Sequence, residues 1–130
     1  MDYSYPKTEK LKSKKIIDLL FSKGKSVGKY PLRLVYIQQD FEEEIPLKMG
    51  VSVSKKYFKK AVDRNYFKRV LRECYRLNKH LLIDNLEQKY CFMFFYQSKD
   101  QLNYNEINEK TIKIFEKFVN SLKENETKNE

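Results

Sequence analysis

An α+β fold in a single two-layer domain is the architecture this sequence predicts, and three observations predict it. Apolar residues recur at helical spacing in 12–23, 58–79 and 103–123. They alternate over strand lengths in 31–39 and 47–53, and run without interruption through 90–96. The chain, 130 residues long, suffices for one core but not for two domains and a linker. Aromatic residues make up 15% of it, too many for a chain disordered throughout although 35% of its residues are charged.

The elements follow in order. Residues 1–10 contain Pro6 and little apolar material, so they read as a flexible arm that orders on binding. A first helix runs from Lys12 to about Lys23, with Ile16, Ile17, Leu19, Leu20 and Phe21 behind Lys12, Lys14 and Lys15, and Gly24 as its stop. In 31–39, Leu32, Leu34 and Tyr36 share one face of a strand, and Arg33, Val35 and Ile37 the other. The acidic run Asp40–Glu44 and Pro46 connect to a second strand, 47–53, and an antiparallel hairpin-like pair is the economical reading. Segment 58–79 is a helix with Phe67, Val70, Leu71, Cys74 and Leu77 on its apolar face. Segment 90–96 (YCFMFFY) suits a strand buried on both faces. A closing helix over 103–123 carries Ile107, Ile112, Ile114, Phe115, Phe118, Val119 and Leu122, and 123–130 form a polar tail. The body of the domain is thus 11–122, in the order helix, two or three strands, basic helix, strand, helix.

Charge is distributed in blocks. The formal net charge is +9, and residues 51–79 alone carry ten basic and two acidic side chains. Solubility asks only for interspersed signs, whereas blocks present one face to a polyanion. On the wheel, Arg64, Lys68, Arg72 and Arg76 recur every four residues, with Asn65 and Arg69 beside them. Like charges at this spacing weaken an isolated helix, so an anionic partner is expected to compensate.

The chemistry a protein enzyme would need is missing. His80 is the only histidine, placed where a cation complements the helix dipole. The three glycines form neither a Walker loop nor a dinucleotide fingerprint, and Glu42, Glu43 and Glu44 lie in a loop, where a charge run is usually solvated. Cys74 and Cys91 sit in apolar segments without motif spacing and read as reduced core residues. No stretch approaches the ~20 apolar residues of a membrane span, and the N-terminus has no secretory apolar region, so a cytoplasmic protein without a membrane role is expected. A basic helix and an aromatic-rich sheet remain, which is equipment for binding RNA through phosphates and base stacking.

Residues 51–76, VSVSKKYFKKAVDRNYFKRVLRECYR, closely resemble the signature of the bacterial ribonuclease P protein subunit. The matching blocks are Gly50–Lys56, Ala61-Val62, Arg64-Asn65, Lys68-Arg69 and Leu71-Arg72-Glu73. Upstream, Phe21–Val27 resembles the family's Phe-x-x-Gly-x-Ser pattern, and the resemblance spans roughly residues 10–120. It implies the order αβββαβα with a left-handed βαβ crossover, a fold related to a domain of ribosomal proteins and elongation factor G. It also implies the removal of the 5′ leader from precursor tRNA by a ribonucleoprotein endonuclease. The chemistry would lie in the RNA subunit with its Mg2+. The protein would bind that RNA and hold the leader in a cleft between the sheet and the first two helices, with no obligate protein partner evident. Carried over residue by residue, Lys55, Lys56, Arg64, Asn65, Lys68, Arg69 and Arg72, with Arg76 extending the stripe, become the RNA-binding set, and Phe21, Ser26 and Tyr36 the leader-binding set. In two places the chain departs from the family. Tyr66 stands where a third residue of Arg-Asn-Arg is usual, replacing a guanidinium by a ring and a phenolic hydroxyl. Ile17 stands where an aromatic is common, so that part of the cleft would pack without a stacking ring. Two other readings use much of the same equipment: a ribosomal or ribosome-assembly RNA-binding module, and a small protein-only ribonuclease, which would need its own acid and base.

Overall fold

The computed structural model describes residues 3–129, with side-chain surroundings through Glu124. Its elements are a 3-10 turn (Lys7–Glu9), α1 (Lys14–Lys23), β1 (Lys25–Lys29), β2 (Leu32–Gln38), β3 (Leu47–Val53), α2 (Ala61–Ile83), β4 (Tyr90–Tyr96) and α3 (Tyr104–Asn129). This is the order αβββαβα. Ser13 caps α1, its Oγ accepting from Ile16 N at 3.3 Å. The helix stops at Gly24, where a Cβ would lie 2.4 Å from the Leu20 carbonyl oxygen and 2.8 Å from Val35 Cγ1. Only glycine lets the chain turn this close to β2. Asn103 and Glu106 form a reciprocal capping box at the start of α3, with Asn103 Oδ1 accepting from Glu106 N at 2.9 Å and Glu106 Oε1 from Asn103 N at 3.3 Å. α3 continues to Asn129, through most of the segment expected to be a polar tail.

The four strands form one sheet in the order β1-β2-β4-β3. The expected pairing of β2 with β3 is therefore incorrect. β2 pairs antiparallel with β1 and β4, and β3 pairs parallel with β4, joined to it by α2. A parallel neighbour requires a long crossover, and α2 supplies it. The apolar run of β4 is thus interior and buried on both faces, as its composition predicts.

Strand register sorts the sheet into two faces. On one, the rows Val27–Leu34–Phe94–Val51 and Tyr36–Phe92–Met49 lie under α2 and α3, in the main core with Phe67, Leu71, Tyr75, Phe115 and Phe118. On the other, Ile16, Ile17 and Leu20 of α1 cover Val35, Ile37, Cys91 and Met93. Cys74 and Cys91 are both fully buried, one on each side, and burial pushes each thiol up to about 11. At pH 8 neither should react with an aromatic disulfide reagent until the protein is denatured, when two equivalents should be consumed. Rapid reaction in native buffer would contradict this burial.

Between Tyr5 and Lys10 the N-terminal segment is not a free arm; Met1 and Asp2, which complete the predicted arm, and Glu130 of the predicted tail lie outside the described residues. Lys10 bridges Met49 in parallel fashion, and Leu11 N donates to Met49 O at 3.1 Å. Tyr5 packs edge-on against Tyr75 with ring centres 5.0 Å apart and donates its hydroxyl to Met49 O. Glu9 is buried, accepting from Lys79 Nζ at 3.0 and 3.1 Å and from Tyr75 OH at 2.6 Å. A Cβ at Gly50 would lie 2.8 Å from Met93 Cε, so the Met93 side chain packs directly over the Gly50 backbone.

Candidate RNA interface

The second face of the sheet is only half covered. α1 lies over the end holding Ile37, Cys91 and Met93 and reaches the row Gly28–Arg33–Phe95–Ser52 at Phe95, leaving Arg33 exposed and the rest of the row half-buried. Phe21, in the last turn of α1, is 64% exposed, with its ring centre 5.7 Å from that of Phe95. An exposed ring of this size at a helix end is outside the core, and it forms with Phe95 an apolar step beside an open, polar sheet surface. Ser26 lies on the same face, where its Oγ accepts from Arg33 Nη1 at 2.8 Å. Ile17 packs apolarly in the cluster under α1, as its side chain dictates.

Tyr36 does not join them. It alternates with Val35 and so points to the opposite face, edge-on to Phe118 of α3 at 4.7 Å. The structure makes it a core-packing residue, and Val35 takes the corresponding place on the cleft side.

β3 ends in the register Ser52–Phe95 and Val53–Tyr96, so the turn that follows starts at the open end of the sheet. Ser54 organises it, its carbonyl accepting from Tyr57 N at 3.2 Å and Phe58 N at 3.1 Å and its Oγ from Lys56 N at 3.0 Å. Lys55 and Lys56 are exposed on this turn. α2 begins later than expected, at Ala61, because Phe58 leaves the helical path to pack on Phe67 and Tyr96 at 4.7 and 5.7 Å.

Along α2 the basic stripe divides by role. Arg64 Nη1 donates at 2.8 Å to the carbonyls of both Phe58 and Lys59, clamping the turn onto the helix. Arg76 pairs with Glu73 and donates to Tyr3 O at 3.0 Å; the pairing holds the Glu73 carboxyl below the usual carboxylate range. The solvent-facing stripe expected over Arg64–Arg76 is thus committed to structure at both ends. Its middle is available: Asn65, Arg69 and Arg72 are exposed and Lys68 half-buried. Arg69 stacks over the Tyr66 ring at 5.7 Å, so the residue that departs from the family pattern holds a neighbouring guanidinium by a cation–π contact. His80 lies half-buried in the last turn of α2.

Phe95, Arg33 and Gln97 were not among the expected site residues. In the sequence Phe95 lies within an apolar run and Arg33 is the one charged residue of its strand, so no spacing marks either. Among the described residues there is no group of three or more His, Cys, Asp or Glu that could hold a metal ion. No helix of the described residues is long and apolar enough to cross a membrane.

The sequence matches the family model described as Ribonuclease P over residues 5–119. It is 41% identical over 102 residues to the ribonuclease P protein component of Porphyromonas gingivalis, covering 77% of this chain and 74% of that one. It is 33% identical over 122 residues to the component from Dictyoglomus thermophilum, covering 94% and 97%. The fold is similar to the RNase P protein from Thermotoga maritima with a TM-score of 0.68 at 21% identity, covering 84% of this chain and 96% of that one. It matches the Staphylococcus aureus protein equally, with a TM-score of 0.68 at 21% identity and coverage of 83% and 93%. At such identities the structural likeness carries the fold and the sequence matches carry the family: the chain belongs to the ribonuclease P protein component family.

Proposed function

We propose that this chain binds the catalytic RNA of ribonuclease P through Lys55, Lys56 and the middle of α2, and holds the 5′ leader of precursor tRNA on the open end of the sheet. The leader would be removed endonucleolytically, giving the mature tRNA 5′ end, with the chemistry and its Mg2+ on the RNA subunit. The observation that carries this reading is the coexistence of two separate RNA-suited surfaces: a charged helix for phosphates, and an exposed ring step, Phe21 on Phe95, for unstacked bases. A ribosomal or ribosome-assembly module would need the first and not the second, and the family match over residues 5–119 favours ribonuclease P over it.

Phe21→Ala tests the leader site. Stacking of a base on an aromatic side chain is worth about 1–3 kcal/mol, so the variant should bind precursor tRNA with a leader of several nucleotides about 5- to 150-fold more weakly. Mature tRNA affinity should barely change. Because Phe21 is exposed, Tm should hold. Equal losses for both ligands would assign the ring elsewhere.

A further inference from the structure

Beyond the ring step, at the tight β1–β2 turn, Gly28, Lys29, Tyr30, Arg33 and Gln97 line a hollow of about 320 Å³. Two of its side chains are held in place by the protein. Arg33 Nε donates to Gln97 Oε1 at 3.3 Å and Nη1 to Ser26 Oγ at 2.8 Å, so the guanidinium is braced from β4 on one side and β1 on the other. These bonds use two of its five N–H donors and fix the plane of the fork. Tyr30 is inverted relative to an ordinary surface tyrosine. Its hydroxyl is turned into the protein, donating to the buried Ser98 Oγ at 2.8 Å with Asp100 Oδ2 at 3.4 Å, while the residue as a whole is 68% exposed. A tyrosine whose polar end is satisfied internally leaves an apolar ring at the surface.

We infer that this hollow is a subsite for one guanine nucleotide of single-stranded RNA, its base lying on the Tyr30 ring and its O6/N7 edge taken by the Arg33 fork. The inference rests on the proposed function for the identity of that strand, the 5′ leader. Arg33 is the cross-strand partner of Phe95, so a strand lying over Phe21 and Phe95 reaches the hollow with a neighbouring nucleotide. A phosphate would accept a swinging lysine as readily as a guanidinium, whereas a braced fork beside a ring matches the two adjacent acceptors of guanine. Lys29, on the same hollow, supplies a cation for the backbone.

The test uses holoenzyme reconstituted from this chain and a bacterial ribonuclease P RNA, and precursor tRNAs with adenosine-only leaders in which one guanosine is moved through each position. One position should prefer guanosine by about tenfold, the discrimination a bidentate base contact provides. Replacing that guanosine by 7-deazaguanosine, which lacks the N7 acceptor, should remove most of the preference. Arg33→Lys, which keeps the charge and loses the fork, should remove it too. A leader that tightens binding with no base preference at any position would overturn the inference and leave the proposed function standing. Persistence of the preference in Arg33→Lys would also overturn it. So would a uniform loss for all leaders in Arg33→Ala with a salt slope shallower by about 0.7, the mark of a phosphate contact. A leader that adds nothing to binding by the unmodified holoenzyme would overturn the proposed function and the inference with it.

Discussion

Glu9→Ala should lower the stability of this protein by about 3–5 kcal/mol, the cost of removing one partner from a buried ion pair. Lys79 Nζ contacts both oxygens of Glu9, and the side chains of the pair are 3% and 9% exposed, so truncation leaves an ammonium buried without that carboxylate. Tyr75 OH loses the same acceptor. In a domain of this size the loss corresponds to a fall in Tm of about 10–20 °C. The strap, which Glu9 pins to α2, should then become exchangeable at Lys10 and Leu11. Replacing the whole cluster, Glu9→Leu with Tyr75→Phe and Lys79→Met, should recover most of the stability, because exchanging a buried pair for apolar groups of similar volume is often neutral. If Glu9→Ala melts like the parent protein, the strap is not anchored as described.

A second large effect is expected on RNA binding. Lys68→Ala, Arg69→Ala and Arg72→Ala combined should remove three phosphate contacts with the RNA subunit, reducing the slope of log affinity against log salt by about 2 to 3. At about 0.1 M salt this amounts to two to three orders of magnitude in affinity. Tm should change little, because relief of the Lys68–Arg72 repulsion at i, i+4 offsets loss of the Arg69–Tyr66 cation–π contact. Arg64 differs from these three: its bonds to the Phe58 and Lys59 carbonyls mean that Arg64→Ala changes the start of α2 as well as any RNA contact. An unchanged slope in the triple variant would make the stripe an ordinary solvated face.

What the sequence disclosed and what it concealed follow from the range of the interactions involved. Helix periodicity, the Gly24 stop and the doubly buried β4 are local patterns and were legible. The partners of β3 were not, because nothing within 47–53 records that β4, separated from it by a 23-residue helix, will be its neighbour. β1 carries a single apolar residue of any size, Val27, and becomes a strand because the tight turn returns the chain along β2. Period-two alternation placed Leu34 and Tyr36 together correctly. Which of the two faces α1 would cover was not written in it, and Tyr36 was therefore assigned to the leader when it belongs to the α3 side. Arg64 and Arg76 show the same limit on a helix: the wheel puts them outside, and only the tertiary structure brings carbonyls within their reach. Glu9 carries no local signal of burial, because the Lys79 that pairs with it lies 70 residues away in the chain.

The most direct measurement is cleavage of precursor tRNA by this chain, by a bacterial ribonuclease P RNA, and by their mixture, at a magnesium concentration where the RNA alone is slow. The account predicts no cleavage by the protein freed of RNA, and restored, accurate removal of the 5′ leader by the mixture. Cleavage by the RNA-free protein, or a mixture no faster than the RNA alone, would contradict it.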